Sequence, residues 1–585
     1  MVKAILMAAT IFPTISTITM AIGTKLRNGN SMTKYSNQLR CDDIPQSPAL
    51  LLDRPVIKLH SPISTKENEL EHQVQKIRGL MKRKASDYVE MEELVMIDAV
   101  QRLGLEDYFE EEIIFVLERL YAKFYSLQDV DHGLNYHELA LSFRLLRHQG
   151  YYLTAADIFE KLKDKDGKLK EEVGKDLKSL LSIFECCQLE TVEEDEEEIC
   201  GEVKDIIGQL LETSMNTIEE EQKARLIDNT LRNPCHKNVA RLSASPFLQD
   251  FSFSLEFLHD FSNLKDPWIY EVQELARIDF DIARMNYRTE LHQISKWGKE
   301  LNLEDMNFAR IEPLKWCMWS LGVFPGPNMS QHRLELAKAV SFIYIIDDIF
   351  DSHDSYHQLH QFTQAIHRWE YGDVEQLPKS MKVCFKALQD TTHDFSSKIK
   401  RKFGWDPQPY LQKLWAEQLR CYLVEAKWRF TKYSPSPEEY LNNAIITSGT
   451  HVVLAHAFFL LGHGINNNSL HDFINLPSIV SSTATILRLW NDTGIHTDKT
   501  PDGSDHSYID YYMKEEKTRS SKSARHHING VISEAWNCLN REYMSSDCVF
   551  SRDFKLACLN LARMVPIMYN NHQRCHLHFL LMKNK

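Results

Sequence analysis

Nearly every long segment of this chain repeats its apolar residues at intervals of three and four. The stretch 93–124, ELVMIDAVQRLGLEDYFEEEIIFVLERLYAKF, does so throughout, as do ELALSFRLLRHQGYYLTAADIFEKL and VKDIIGQLLETSM. That spacing lines apolar side chains along one stripe of an α-helix, a stripe that must be buried against other helices. Alternating runs bounded by Asn-Gly or Asp-Gly turns are few, so there is little from which to build a sheet. The connector KDKDGKLKEE (163–172) is charged and lacks the acidic spacing and terminal Glu of a calcium-binding loop. No fixed-period repeat points to a solenoid. The expected fold class is all-α.

A chain of 585 residues is too long for one ordinary domain. Pro, Asn and Ser interrupt the helical pattern in LRNPCHKNVARLSASPFLQDF (231–251), which places a boundary there. Residues 1–40 carry five Lys or Arg, no Asp or Glu, and many Ser and Thr, the pattern of an organellar transit peptide. A secretory signal over Ala4 to Phe12 and an internal start at Met20 or Met32 are the competing readings. The expected division is a presequence over 1–42, an N-terminal helical domain over 43–245 and a C-terminal one over 246–585. The net charge of −14 argues against a nucleic-acid partner, and the run EEDEEE (193–198) reads as a solvated face. Twelve scattered cysteines without a C-x-x-C pair suit a reducing compartment and give no zinc site. No segment after the presequence reads as an uninterrupted apolar run long enough to span a bilayer.

The strongest chemical signal is AVSFIYIIDDIFDSHD (339–354). A continuous apolar run ends in Asp347, Asp348 and Asp351. On a helix Asp347 and Asp351 stack at i and i+4, with Asp348 turned aside. Carboxylates crowded against a buried segment repel one another, and a divalent cation relieves that repulsion. Mg²⁺ takes one or two carboxylates and completes its shell with water and substrate phosphates. The competing reading is a solvated helix end. Arg310 and Arg488 supply guanidinium groups of the kind that grip diphosphate oxygens, or else form ordinary ion pairs. Ser448 and Gly449 interrupt the apolar stretch 442–464 as at a helix break, which would expose carbonyl oxygens. Trp316, Trp319, Phe342, Tyr344, Trp428, Phe458, Phe459, Tyr508, Tyr511 and Tyr512 are mostly core residues, a few of which would line a cavity able to stabilise a cation. In ILRLWNDTGIHTDK (486–499), a continuing helix would put Asn491, Ile495 and Lys499 on one stripe.

On these residues the chain resembles the plant terpene synthases. DDIFD matches that family's aspartate-rich motif and RLWND opens its second metal motif. ELARIDFDIARMNYRTELHQISKWGKELNL (274–303), MIDAVQRLGL, FRLLRHQGYY and FEKLKDKDGKLKE are also similar to family segments, so the likeness runs from about 50 to about 570. The resemblance implies two all-helical domains, a barrel-like N-terminal one and a C-terminal one of the class I terpene synthase fold. It implies that Asp347, Asp348 and Asp351 are catalytic, that Asp347, Asp351 and Asn491 bind Mg²⁺ (or Mn²⁺), and that Arg310 and Arg488, with Asp347, Asp351 and Asn491, hold the diphosphate. The reaction implied is departure of diphosphate from a prenyl diphosphate in a closed apolar pocket. The Arg-Arg…Trp signature of cyclising monoterpene synthases is missing. PLKWCMW, SFIYIIDDIFD and DGSDHSYIDYYMKE are similar to the subfamily that makes acyclic alcohols such as linalool and nerolidol. The D-x-D-D motif is also missing, DVDH standing at 129–132, and no second D-D-x-x-D is present. A monomer in the chloroplast is expected, with the cytoplasm as the alternative.

One departure stands out. The family's second motif has Asn or Asp at 491, Ser or Thr at 495 and Glu at 499, and here Asn491 is followed by Ile495 and Lys499. Ile495 has no donor oxygen, and Lys499 brings a cation where a cation should sit. Three alternatives follow. Ionisation proceeds with the metals of the first motif, Asp498 or Lys499 takes a substitute role, or the chain is a degenerate homologue that binds prenyl diphosphate with little or no turnover. The unusual ending NHQRCHLHFLLMKNK favours the last.

Overall fold

The computed structural model describes residues 65–83, 91–126, 135–154, 159, 161–166, 168–191, 194–259, 267–301, 303, 309–370, 374–497, 507–517 and 520–569. The presequence, DVDH, Asp498 and Lys499 lie outside the described residues, as does the C-terminal NHQRCHLHFLLMKNK. Among the described residues the regular structure is helical, apart from one isolated antiparallel bridge between Lys163 and Leu169.

The N-terminal half holds α1 (Thr65–Arg83), α2 (Met91–Arg102), α3 (Glu110–Ser126), α4 (Tyr136–His148), α5 (Glu171–Lys175), α6 (Leu177–Cys186), α7 (Glu194–Thr217), α8 (Glu221–Arg232), α9 (Ala240–Gln249) and α10 (Phe251–His259). Local chemistry sets several starts. Asn135 and Glu138 form a reciprocal capping box on α4, and Asp176 accepts the backbone N–H groups of Lys178 and Ser179 at the head of α6. Then come α11 (Pro267–Glu300), α12 (Pro313–Val323), α13 (Ser330–Ser352), α14 (Tyr356–Arg368), α15 (Lys379–Phe403), α16 (Gln408–Thr431), α17 (Pro437–Thr447) and α18 (Thr450–Leu461). The last helices among the described residues are α19 (Asn467–Ile474), α20 (Ser478–Thr497), α21 (Tyr508–Glu515), α22 (Ser521–Met544) and α23 (Arg552–Tyr569).

The buried stripes meet in distinct apolar cores. Two lie in the N-terminal half, one around Ile77, Val100, Phe109 and Leu145, the other around Phe143, Phe159, Ile183 and Ile207. The largest core belongs to the C-terminal half, with Trp316, Phe342, Ile346, Trp415, Phe458 and Leu559 inside it. The 34-residue α11 serves two cores. Trp268, Val272 and Leu275 enter the N-terminal core, while Tyr287 and Ile294 enter the C-terminal one. Residues 245 and 246, where the sequence suggests a boundary, lie within α9.

Helix α13 packs against α11, α12, α15, α16 and α18, which explains why its apolar run needs burial on most sides. The segment Pro437–Leu461 is, by length and composition alone, apolar enough to cross a bilayer. Its most apolar stretch is 78% buried inside the protein, and the segment breaks at Ser448–Gly449, as an interior helix pair.

Candidate active site

The aspartate motif occupies the last turns of α13. Ile345, Ile346, Ile349 and Phe350 point into the core, and the three carboxylates share the remaining arc. Asp348 is buried rather than merely turned aside. Its Oδ2 accepts the backbone N–H of Arg310 at 2.5 Å, and its Oδ1 accepts Nε of the same residue at 2.6 Å. The guanidinium continues to Asp347, donating from Nη2 to Oδ2 at 3.0 Å. Arg310 therefore clamps the first two carboxylates from a segment 37 and 38 residues earlier. Burial works against its charge, but the two aspartates outweigh that and hold its pKa above the ordinary value. Asp351 is the most exposed of the three, with 73% of its side chain accessible.

Across from this end of α13 stands Glu425 of α16, which the sequence reading did not single out. It accepts Thr447 Oγ1 at 2.7 Å and Asn443 Nδ2 at 3.2 Å, both from α17. Burial raises its pKa, Arg488 opposes the rise, and Asp351 adds to it. Asp347 is pushed up to about 7, first by crowding in protein and then by the negative charge of Asp351, with Glu425 contributing. Asp347, Asp351 and Glu425 thus form one acidic neighbourhood.

The second motif lies on α20. Arg488 Nε pairs with Asp492 Oδ1 at 3.0 Å, and its Nη2 makes a close contact with the Tyr440 hydroxyl. Asp492 is fully buried. Its Oδ2 accepts Tyr440 Oη at 3.0 Å and the backbone N–H of Tyr508 at 2.9 Å. Asp492 therefore ties α20 to α17 and to the start of α21, while its neighbour Asn491 stays half-buried. The helix continues to Thr497, so Asn491 and Ile495 stand one turn apart. Trp428, Tyr440, Leu489, Tyr508 and Tyr511 pack into a small apolar cluster beneath this motif.

The break between α17 and α18 falls where the sequence suggests. Gly449 has φ of 73°, and the Ser448 hydroxyl bonds Ile445 O at 2.6 Å and Thr450 Oγ1 at 2.9 Å. A Cβ on Gly449 would meet Ile343 Cδ1 at 2.6 Å, so the break lies against α13 one turn before Asp347. Of the aromatics, Trp316, Phe342, Phe458 and Phe459 are plain core residues. Tyr344 is nearer the chemistry: Arg310 lies 5.9 Å from its ring centroid, and its hydroxyl accepts Trp319 Nε1 at 2.9 Å. Tyr569 of α23 packs edge-on to Trp319. No local motif announces Tyr569, because it is 218 residues beyond Asp351 in the chain. A separate cavity lined by Glu335, Phe342, Thr392, Trp415 and His456 is about 10 Å³, room for one water and not for a prenyl chain.

The donor set can be tested for a divalent cation. Among the described residues no three His, Cys, Asp or Glu side chains converge into a cage. Asp347 and Asp351 nevertheless provide paired carboxylates whose mutual repulsion keeps the pKa of Asp347 raised even beside Arg310, which suits an ion that takes few protein ligands and several waters or phosphate oxygens. The first motif fits. In the second, Asn491 supplies a donor, Asp492 is committed to internal bonds, and Ile495 has no donor atom.

Residues 299–538 match the model of the terpene synthase family metal-binding domain, and 54–231 match that of the terpene synthase N-terminal domain. The chain belongs to the terpene synthase family. It is 39% identical to an (E)-nerolidol synthase of Cannabis sativa over 489 residues, covering 82% of this chain and 85% of that one. It is 36% identical to the chloroplastic S-(+)-linalool synthase of Arabidopsis thaliana over 537 residues, 90% of this chain and 91% of the other. Isoprene synthase from grey poplar leaves, solved with three Mg²⁺ ions and dimethylallyl-S-thiolodiphosphate, superposes with a TM-score of 0.79 at 26% identity, covering 89% of this chain and 97% of its own. The fold of this terpene synthase is the all-helical, two-domain one that the resemblance implies.

Proposed function

We propose that this terpene synthase ionises geranyl diphosphate and releases an acyclic alcohol such as linalool. Farnesyl diphosphate, giving nerolidol, is the alternative substrate. The observation that carries the reading is the Arg310 clamp on Asp347 and Asp348, facing Glu425 and Arg488 across one acidic neighbourhood. Asp347 and Asp351 would hold Mg²⁺ or Mn²⁺, with Asn491 as the surviving donor of the second motif. Divalent cations, when bound, supply positive charge to the departing diphosphate. Arg310 and Arg488 would grip diphosphate oxygens, stabilising the negative charge that develops as the C1–O bond breaks and its electron pair leaves with oxygen. The break at Ser448–Gly449 and the rings of Tyr344, Trp319 and Tyr569 would face the allylic cation, stabilising it by oxygen dipoles and ring quadrupoles. Its charge is shared between C1 and the more substituted C3. Attack of water at C3, with loss of the water's proton, gives a tertiary acyclic alcohol.

The remaining expectations belong to the same proposal. Along the sequence the domains divide as 1–42, 43–245 and 246–585, with Phe251, Leu255, Trp268, Val272 and Ala276 of the last segment packing into the N-terminal core; the first segment is a plastid transit peptide, and the mature chain acts as a monomer. A plastid address favours geranyl diphosphate, and fusing residues 1–45 to a fluorescent reporter tests it.

A second reading has its own observation. Ile495 offers no donor oxygen in the second motif, so the chain would be a weakly active or inactive homologue that binds prenyl diphosphate. One experiment separates the two. Purified protein is given geranyl or farnesyl diphosphate with Mg²⁺ or Mn²⁺, and volatiles are identified by gas chromatography. The Ile495→Ser/Lys499→Glu double variant is run beside it. Acyclic alcohol from the natural chain supports the first reading. Product from the double variant alone, or turnover at least about 100-fold higher there, as expected when several kcal/mol of transition-state stabilisation return, supports the second.

A further inference from the structure

Helix α13 ends without the usual means of closing its last turn. His353 follows in an extended conformation, with no glycine and no left-handed cap, so the final carbonyls lack intrahelical donors. The donors come from α16. Arg429 Nη2 donates to Phe350 O at 2.7 Å, and Nη1 donates to Asp351 O at 3.1 Å. The guanidinium also approaches the Asp351 carboxylate, at 3.9 Å from Oδ1, too far for a hydrogen bond. The rest of the α16 stripe faces the same place. Tyr422 stacks on Phe350 at 5.4 Å between centroids, and Glu425, one turn before Arg429, faces Asp347 and Asp351.

A carboxylate in the last turn of a helix opposes the negative end of the helix dipole, so Asp351 weakens the very turn that carries it. A planar cation with two donors on those carbonyls offsets both defects. We propose that Arg429 is a positioning residue for the aspartate motif: it caps α13 and so keeps Asp351 one turn from Asp347, where the pair can share a divalent cation. This rests on the metal-dependent reading above.

The test uses the full chain, Mn²⁺ with inorganic diphosphate as the probe, and electron paramagnetic resonance of free Mn²⁺ as the readout. Arg429→Met keeps the length and removes the donors. It is expected to weaken Mn²⁺ binding about tenfold, the size seen when groups that orient metal ligands are removed. Arg429→Lys, which keeps a charge and fewer donors, should fall between that variant and the natural chain. Hydrogen exchange of amides 349–353 should quicken in Arg429→Met while the melting temperature stays put. Unchanged exchange overturns the cap, and quicker exchange with unchanged Mn²⁺ affinity overturns its link to the ligand. If Arg429→Met does not fold, Arg429→Lys and Arg429→Gln carry the same comparison. Should the natural chain bind no more Mn²⁺ than an Asp347→Asn/Asp351→Asn variant, the metal reading itself fails and this inference with it.

Discussion

At the residue scale the site is a contest between like charges, and Asp347 is where it registers. Its carboxyl is held up to about 7, by burial and then by Asp351. The folded protein therefore keeps a proton at pH values where the unfolded chain, with a pKa near 3.9, has released it. Stability from this group falls as pH rises from about 4 to about 7 and is level beyond. Asp347→Asn removes that fall. In metal-free protein, raising the pH from 5 to 8 is expected to lower the melting temperature less in the variant than in the natural chain; Glu106 and Glu425, whose pKa values burial also raises, keep their contributions in both. An equal drop in both proteins would show that Asp347 is not strained by its neighbours. The aspartates themselves were legible in the sequence, because three carboxylates closing an apolar run need a reason. Their partners were not. Arg310 reaches Asp348 from 38 residues away, and Glu425 sits in VEAKW, where nothing local distinguishes it from an ordinary helix-surface glutamate.

At the element scale, the break between α17 and α18 was readable because Ser and Gly have no other business inside an apolar helix. The structure adds what the break packs against. Gly449 is left-handed, and a methyl there would press on Ile343 at 2.6 Å. Gly449→Ala is expected to destabilise the protein by about 1–3 kcal/mol, through both the backbone conformation and overpacking. Urea unfolding monitored by circular dichroism measures it. A loss below about 0.5 kcal/mol would mean that the break relaxes easily. The second motif taught the opposite lesson. Asp492 stands beside Asn491 with nothing local to mark its part, and its oxygens are engaged by Arg488, Tyr440 and the N–H of Tyr508. Periodicity gives the face of a residue on its own helix, and it is silent about which neighbouring helix arrives there.

Across the whole molecule, polar bridges join the two halves. Arg241 of α9 donates to both oxygens of Asp279 on α11, at 2.6 and 2.7 Å, and Tyr108 Oη donates to Asp279 at 2.6 Å. Arg241→Met leaves Asp279 buried without its cation and is expected to cost about 3–5 kcal/mol. Equilibrium unfolding in urea measures that loss; a change under about 1 kcal/mol would mean that Tyr108 alone suffices. Farther along, Asn540 of α22 donates to the carbonyls of Gln188 and Glu190, at 3.2 and 2.9 Å, and accepts His236 at 2.7 Å. The two-part helical plan was visible in the sequence. The sharing of helices between cores was not, since a 34-residue amphipathic run such as α11 does not announce that its ends serve different partners.

That shared helix limits how such chains can be recombined. A crossover between α8 and α9 would deprive the N-terminal core of Phe251, Leu255, Trp268 and Val272, which belong to it. A crossover after Ala276 would keep those residues but carry Val239 and Leu242 away from the C-terminal core. No single joint parts the two halves cleanly, so shuffling between relatives must bring matched residues on both sides of whatever point it chooses.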